Sequence, residues 1–125
     1  MTFKEYSDKC ASFLIPTCDN LDYAYCGLLG EVAEFDEKIT GRAISGLMQF
    51  GRNAKMIRAG LLPAENIPLH SEKKEIAKEL GDILFFLDLN AKMIGYTLEQ
   101  IAQMNNDKLS DRQSRNIIIG EGDNR

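Results

Sequence analysis

Apolar residues recur every three or four positions through most of the chain, and this period predicts helices. One long amphipathic helix is expected up to Gly41, with Asp19 or Asn20 as the residue that caps its start. Its apolar stripe consists of Leu21, Tyr25, Leu28, Val32, Phe35 and Ile39. A second long helix is expected between a cap at Ser71 and a stop at Gly95. Its stripe consists of Ile76, Leu80, Ile83, Leu84, Leu87, Ala91 and Ile94.

Capping-box spacing marks two further helix starts. Thr2, followed three residues later by a glutamate, predicts a helix over residues 2–15. Thr97, followed three residues later by a glutamine, predicts a last helix that ends near Arg115. Between residues 42 and 60, Gly46, Gly51 and Gly60 weaken any single long helix by about 1 kcal/mol each. One or two short helices are therefore expected over residues 42–60, followed by a loop that contains two prolines.

Length and apolar content limit the architecture to one domain. The chain has 125 residues, of which 44% are hydrophobic, and this is enough for one core but too short for two ordinary domains. No alternating strand pattern of useful length occurs, apart from a brief stretch that could extend at Ile117–Ile119. We therefore expect residues 1–125 to form one all-α domain, a helical bundle of four main helices plus a short helical insertion.

Charge and hydropathy restrict the partners and the location. The formal net charge of −4 argues against binding to long nucleic acid. No apolar stretch approaches the roughly 18 to 20 residues that would span a bilayer, and the start of the chain lacks the apolar region of a signal peptide. A cytoplasmic protein without a membrane partner is expected. The charge is nevertheless uneven, because residues 38–64 contain no acidic residue. The basic residues of that segment are Lys38, Arg42, Arg52, Lys55 and Arg58.

Two acidic pairs lie within the apolar helical sequence, Glu31 with Glu34 and Glu79 with Asp82. Residues three apart on a helix lie roughly 60° apart around the axis and about 4.5 Å apart along it. Each pair borders an apolar stripe, so two helices packed along their stripes can bring both pairs into one cleft. Ordinary solvated acids are the alternative, but four converging carboxylates would repel one another without a cation. Mg²⁺ is the expected cation, since it takes oxygen ligands and commonly shares them with substrate phosphates.

A magnesium-carboxylate cleft beside basic residues suggests chemistry at phosphate. Lysine and arginine side chains would hold the outer phosphate oxygens. The sequence has no Walker-type glycine loop, so the cleft itself would have to bind the nucleotide.

Four segments, in order, resemble the MazG-like nucleoside triphosphate pyrophosphohydrolases. They are GLLGEVAEF at 27–35, KELGDILFFL at 78–87, NNDKLSDRQSR at 105–115 and IIGEGDNR at 118–125. With their flanking helices these segments account for most of the chain. The resemblance implies an all-α fold that forms a homodimer or a higher homo-oligomer. It also implies magnesium-dependent cleavage of a nucleoside triphosphate between its α and β phosphates, which gives a nucleoside monophosphate and pyrophosphate.

The same resemblance assigns roles to individual residues. The metal ligands would be Glu31, Glu34, Glu79 and Asp82. One carboxylate, with Glu34 and Glu79 as the catalytic candidates, would orient or deprotonate the attacking water. The substrate-binding residues would be Asn105, Lys108, Arg112, Arg115 and Arg125. Basic residues in a last helical turn also suit the negative end of the helix dipole, so a structural role stays open for Lys108, Arg112 and Arg115.

The chain departs from compact members of this family in one respect, because 44 residues separate the two acidic pairs. The extra sequence is largely the acid-free segment 38–64. It is interpreted either as a short helical lid or dimer contact that reaches over the phosphates, or as a solvated surface insertion. A second function also stays open, in which the bundle is a non-catalytic module for dimerisation or nucleotide sensing.

Overall fold

The computed structural model describes residues 1–42, 47–63 and 68–116. Within these ranges the secondary structure consists of helices, and no strand occurs. The helices are α1 (Phe3–Ala11), α2 (Leu21–Thr40), α3 (Leu47–Arg58), α4 (Lys73–Met93) and α5 (Leu98–Ser114), with a 3₁₀ turn at Pro16–Cys18. The predicted all-α fold, with four main helices and a short helical insertion, is confirmed. The stretch Ile117–Ile119 lies outside the described residues.

Side-chain caps fix three of the helix starts where the sequence predicts them. Thr2 accepts a hydrogen bond from the backbone of Glu5 at 3.1 Å, and the Glu5 carboxylate accepts one from the Thr2 backbone. The Thr97 hydroxyl accepts the corresponding hydrogen bond from the backbone N–H of Gln100, the third residue of α5, at 3.1 Å. Asn20 caps α2 by accepting a hydrogen bond from Tyr23 N at 2.8 Å. These bonds satisfy backbone donors that have no partner within the helix.

Two predicted helix boundaries are wrong. Helix α1 ends at Ala11 and not at residue 15: the backbone N–H groups of residues 12–14 bond to carbonyls three residues back, and Ile15, which precedes Pro16, is extended. Helix α4 is capped by Glu72 and not by Ser71, and no side chain of the cap residue bonds to the helix.

Helices α2 and α4 form the centre of the molecule. They are antiparallel, since Ala24 near the start of α2 meets Asn90 near the end of α4, and Asn90 Nδ2 donates to Ala24 O at 2.8 Å. Ala24, Phe86 and Leu89 form the buried core cluster. Gly27 lies directly against the Phe86 ring, so that a Cβ atom at position 27 would overlap it. Small residues thus set a close approach of the two helices.

The face of α2 that packs on α4 is rotated away from the predicted apolar stripe. Ala24 is fully buried, whereas Leu21 and Tyr25, the first two positions of the stripe, are exposed. The side chains of alanine and glycine allow a closer helix contact than leucine and tyrosine would. Part of the predicted stripe is therefore left on the surface of the protomer.

A buried polar contact joins α1 to α4. The Asp88 carboxylate is only 1% exposed and accepts a hydrogen bond from Ser7 Oγ at 3.1 Å. Lys92 Nζ lies 3.5 Å from the same carboxylate oxygen and donates to Ser7 O at 3.0 Å. Helix α5 packs against both α1 and α4. Among the described helices, none is both long enough and apolar enough to cross a membrane.

Candidate metal centre

Three of the four predicted acids converge where α2 crosses α4. Glu31 and Glu34 come from α2 and Glu79 comes from α4, and one carboxylate oxygen from each lies within 4.8 Å of the others. Their presence on two antiparallel helices gives a site that exists only when the bundle is folded. The spacing of three residues within the α2 pair keeps both side chains on one side of that helix.

The fourth predicted acid, Asp82, lies at the edge of this cluster. Its side chain is exposed and does not belong to the group of three mutually close oxygens. Its negative charge nevertheless acts on Glu31 and helps to raise the pKa of that residue. The structure therefore places Asp82 beside the cluster, about one helical turn from Glu79 on α4.

Burial and like charge make the metal-free cluster electrostatically unfavourable. Burial is the largest cause that raises the pKa of Glu31 above its ordinary value, followed by the charges of Glu34, Asp82 and Glu79. No positive charge acts on Glu31 to oppose these effects among the described residues. Oε2 of Glu31 and Oε2 of Glu79 are both buried without a hydrogen-bond partner. Buried carboxylate oxygens in native proteins are normally paired, so these two atoms require a partner.

A hard divalent cation fits this arrangement. Carboxylate oxygens are the ligands that Mg²⁺ prefers, and Mg²⁺ is commonly held by a few carboxylates while the rest of its coordination sphere is water or phosphate. A cation between Glu31 and Glu79 would satisfy both unpartnered oxygens and remove the repulsion. The donor set contains no sulfur or imidazole, which softer metals favour.

Two of the predicted substrate-binding residues of α5 share a surface. Asn105 and Lys108 line a cavity of about 570 Å³ between α1, α4 and α5, and Leu84 and Leu87 of α4 form another part of its wall. None of the four predicted acids lines this cavity.

The three predicted arginines differ in their surroundings. Arg112 is buried in the last turns of α5. Arg115 donates from Nε and Nη2 to the Asp111 carboxylate, at 3.0 and 2.6 Å, across one helical turn. Arg125 lies outside the described residues. Arg115 thus already binds an anion, which fits the structural role left open for it.

The sequence did not predict one polar group near the centre of the bundle. This group is the Asp88 carboxylate with its partners Ser7 and Lys92. A single acid inside the apolar run FFLDLN is the signal that could have identified it. Asp88 fixes α1 against α4. Burial and a bond to Cys10 raise the pKa of Tyr6, the residue before Ser7. The charges of Asp88 and Asp82 lie close enough to raise that pKa further. Helix α1 therefore lies near the edge of the acidic cluster.

Comparisons with known proteins agree with this geometry. Residues 25–116, which include both acidic pairs, match the MazG nucleotide pyrophosphohydrolase domain. The chain is also similar to the Gene 37 protein of Mycobacterium phage L5, with 28% identity over 113 residues that cover 86% of this chain and 82% of that protein. No solved structure matches the chain. The chain belongs to the family of MazG nucleotide pyrophosphohydrolase domains.

Proposed function

We propose that the protein hydrolyses nucleoside triphosphates between the α and β phosphates in a Mg²⁺-dependent reaction that gives a nucleoside monophosphate and pyrophosphate. The observation that carries the proposal is the cluster of Glu31, Glu34 and Glu79, with two buried oxygens that lack a partner. A metal-binding cluster in a nucleotide pyrophosphohydrolase domain supports an enzyme that acts on a phosphoric anhydride bond. A role in removing aberrant or surplus nucleotides is consistent with this chemistry.

The burial of each carboxylate suggests its role. Glu31 and Glu79 are the inner ligands, because their buried oxygens have no other partner. Asp82 is an outer ligand that reaches the ion or its water from the exposed edge. Glu34 is exposed, and its carboxylate would orient the attacking water or accept its proton. Bound Mg²⁺ would supply charge neutralisation of the triphosphate and polarisation of the attacked phosphorus.

Cationic and polar side chains of the last helix are proposed to hold the phosphates. Asn105 and Lys108 share one cavity wall, as substrate contacts from one helix face should. Arg112, Arg115 and Arg125 are proposed as further phosphate contacts. We propose that the complete site forms in a homodimer or a higher homo-oligomer. We further propose a cytoplasmic enzyme without a membrane or long nucleic acid partner.

A test of the chemistry is incubation of the purified protein with a panel of nucleoside triphosphates and Mg²⁺. Pyrophosphate and the nucleoside monophosphate should appear in equal amounts, and neither should form in excess EDTA. Release of orthophosphate alone would contradict cleavage between the α and β phosphates. Nucleotide binding without turnover in several conditions would favour the non-catalytic sensing module.

A variant pair tests the carboxylate cluster. Glu79→Gln removes one inner ligand and should lower turnover at least about 100-fold, since a ligand to the ion contributes several kcal/mol to the transition state. Glu75→Gln is the matched control, because Glu75 lies one turn earlier on α4 and bonds to Lys78 at 2.9 Å. The control should retain activity, and both variants should keep their helical circular dichroism. Calorimetric titration with Mg²⁺ alone should show weaker binding only for Glu79→Gln.

A further inference from the structure

Helix α3 is a basic amphipathic helix with an uncovered apolar side. It carries Arg52, Lys55 and Arg58 and no acidic residue. Phe50 is 48% exposed and Ile57 is 41% exposed, although both belong to an ordered helix. No other described helix packs along α3. Large apolar side chains left open in this way commonly mark an interaction surface.

Phe50, Ala54 and Ile57 lie on one side of α3, and Arg52 lies on the opposite side. At 100° per residue, Ile57 falls within about 20° of Phe50, and Ala54 lies about 40° from it on the other side. Arg52 lies about 160° from Phe50, and Arg58 lies about 80° from it. The helix thus offers an apolar contact side with Arg58 at its margin and Arg52 facing away. We call Phe50, Ala54 and Ile57 the α3 stripe.

Helix α2 carries a surface of matching length and opposite charge. Leu21, Tyr25 and Leu29, which we call the α2 stripe, are 50%, 56% and 41% exposed. They span about 12 Å along the helix, similar to the roughly 10 Å between Phe50 and Ile57. Asp22 and Asp36 each lie within about 20° of Leu29 around the axis of α2, but they are about 21 Å apart along it, so Asp22 borders the Leu21 end of the stripe and Asp36 lies about 10 Å beyond Leu29. Apolar side chains bordered by an acid on α2 thus complement apolar side chains bordered by a base on α3.

Charge separates the possible partners of α3. Outside residues 38–64 the chain has 19 acidic and ten basic residues, a formal charge of −9. An anionic membrane or a nucleic acid that approached α3 would be repelled by the rest of the protein. A second copy of this chain instead presents the acid that borders its α2 stripe. Both stripes are exposed in the protomer, so neither covers the other within one chain.

We propose that α3 is an exchanged arm through which two copies of this chain associate, with the α3 stripe of each copy packed on the α2 stripe of the other. Arg58 of one copy then faces Asp22 of its partner, at the Leu21 end of the α2 stripe. The exchange is reciprocal and closes with two-fold symmetry, which limits the assembly to a dimer at this surface. This inference builds on the self-association proposed above, but it does not require the hydrolytic activity.

A photo-cross-linking experiment identifies the contact. Phe50 is replaced by p-benzoylphenylalanine in the full chain, and equal amounts of ¹⁵N-labelled and unlabelled copies are mixed and irradiated. Cross-links from position 50 to residues 21–29 that join one labelled and one unlabelled copy are expected. The control carries the same cross-linker in place of Arg52, which faces away, and should give few of these products. Cross-links confined to single chains, or no cross-links to α2, would overturn the proposal.

Charge reversal measures the contribution of the arm to association. Arg58→Glu should weaken the dimer about tenfold, because one attraction per copy becomes a repulsion at two symmetric contacts. Arg52→Glu should change the dissociation constant much less, and Asp22→Arg should restore association of the Arg58→Glu variant. Sedimentation velocity over a concentration series gives these constants. Equal effects of the two arginine variants, or failure of the Asp22→Arg rescue, would contradict the assigned contact.

Alternative occupants of α3 are tested with the unmodified protein. The two assays are sedimentation with phosphatidylserine vesicles and titration with a single-stranded oligonucleotide. In both, the unmodified protein should bind no more strongly than the Phe50→Asp variant. Binding lost in that variant would assign the α3 stripe to a membrane or to nucleic acid and would refute the arm exchange. The pyrophosphate assay on the same samples reports the hydrolytic function separately, so each proposal can fail without the other.

Discussion

Removing the charge of Glu31 should stabilise the metal-free protein while it abolishes the stabilisation by Mg²⁺. Glu31 lies in a cluster of acids, and burial and neighbouring negative charges raise its pKa. Glu31→Gln retains the shape and a polar oxygen but removes one of the repelling charges. The same change deletes an anionic ligand from the proposed ion site. The two effects have opposite signs, so their combination distinguishes a metal site from an ordinary buried acid.

The separation of the carboxylates sets the size of the first effect. The ligand oxygens of Glu31, Glu34 and Glu79 lie within 4.8 Å of one another. Two unit charges at that separation repel by ~0.9 kcal/mol at the dielectric constant of water and by ~3.5 kcal/mol at an effective value of 20. Glu34 is exposed, so the lower end of this range applies, and Glu31→Gln should stabilise the metal-free protein by about 1 kcal/mol.

Thermal unfolding in EDTA and in Mg²⁺ measures both effects. In EDTA the variant should unfold about 3 to 5 °C above the wild type, which is the shift expected from 1 kcal/mol in a domain of this size. Mg²⁺ at 100 times its dissociation constant should stabilise the wild type by about 2.7 kcal/mol and the variant far less. Glu37→Gln is the matched control, since Glu37 is exposed on the same helix and outside the cluster. Its midpoint should respond to Mg²⁺ as the wild type does.

The pH dependence gives a second readout with a defined sign. A carboxyl whose pKa is raised on folding binds more protons in the folded state, so its charge destabilises the fold above the raised pKa. As the pH falls from 7 toward 4.5, Glu31 takes up a proton, and the advantage of Glu31→Gln in EDTA should disappear. A variant that is less stable than the wild type in EDTA at pH 7 would refute the electrostatic reasoning. An unchanged response of the variant to Mg²⁺ would exclude Glu31 as a ligand.

Two further changes test the packing that supports the site. Gly27→Ala should destabilise the protein by about 2 kcal/mol in urea unfolding, because the new Cβ atom overlaps a phenylalanine ring of α4. In the control Gly30→Ala, on the same helix, the new Cβ atom meets open space and should stabilise the protein by up to about 1 kcal/mol. Equal changes in unfolding free energy for the two variants would contradict the close approach of α2 and α4 at Gly27. Ser7→Ala should cost about 2 kcal/mol, because it leaves the buried Asp88 carboxylate without its hydroxyl donor. Ser12→Ala removes only an exposed bond and should cost less than about 0.5 kcal/mol.

The helices could be predicted from the sequence because their signals are local. Capping boxes depend on residues three apart, and the hydroxyls of Thr2 and Thr97 accept the predicted bonds. The proline that follows α1 acts on its immediate neighbour, but the apolar period runs past Ala11 and conceals the earlier stop. The start of α4 differs from the prediction because serine is a strong cap by residue type, whereas the actual cap, Glu72, makes no side-chain bond.

The packing faces could not be predicted with the same success, because they depend on contacts between distant residues. A wheel weighted by hydrophobicity favours Leu21 and Tyr25 as core positions, yet the close contact with α4 selects Ala24 and Gly27. The spacing of the acids predicted that pairs would face each other, and three of the four acids do converge. The cavity that Asn105 lines depends on the placement of α5, for which the sequence carries no local signal.

The register of the α2–α4 contact explains why two pairs with the same spacing meet. Asn90 is fixed to Ala24 by a hydrogen bond, and the next contact toward the site is that of Gly27 with Phe86. Antiparallel helices of equal rise continue this register, so four further residues on each helix bring Glu31 opposite position 82. Three more bring Glu34 opposite position 79, which places the two acidic pairs opposite each other. The site geometry is therefore set by a glycine one helical turn away from the nearest acid, and crowding at Gly27 should weaken Mg²⁺ binding without touching a ligand.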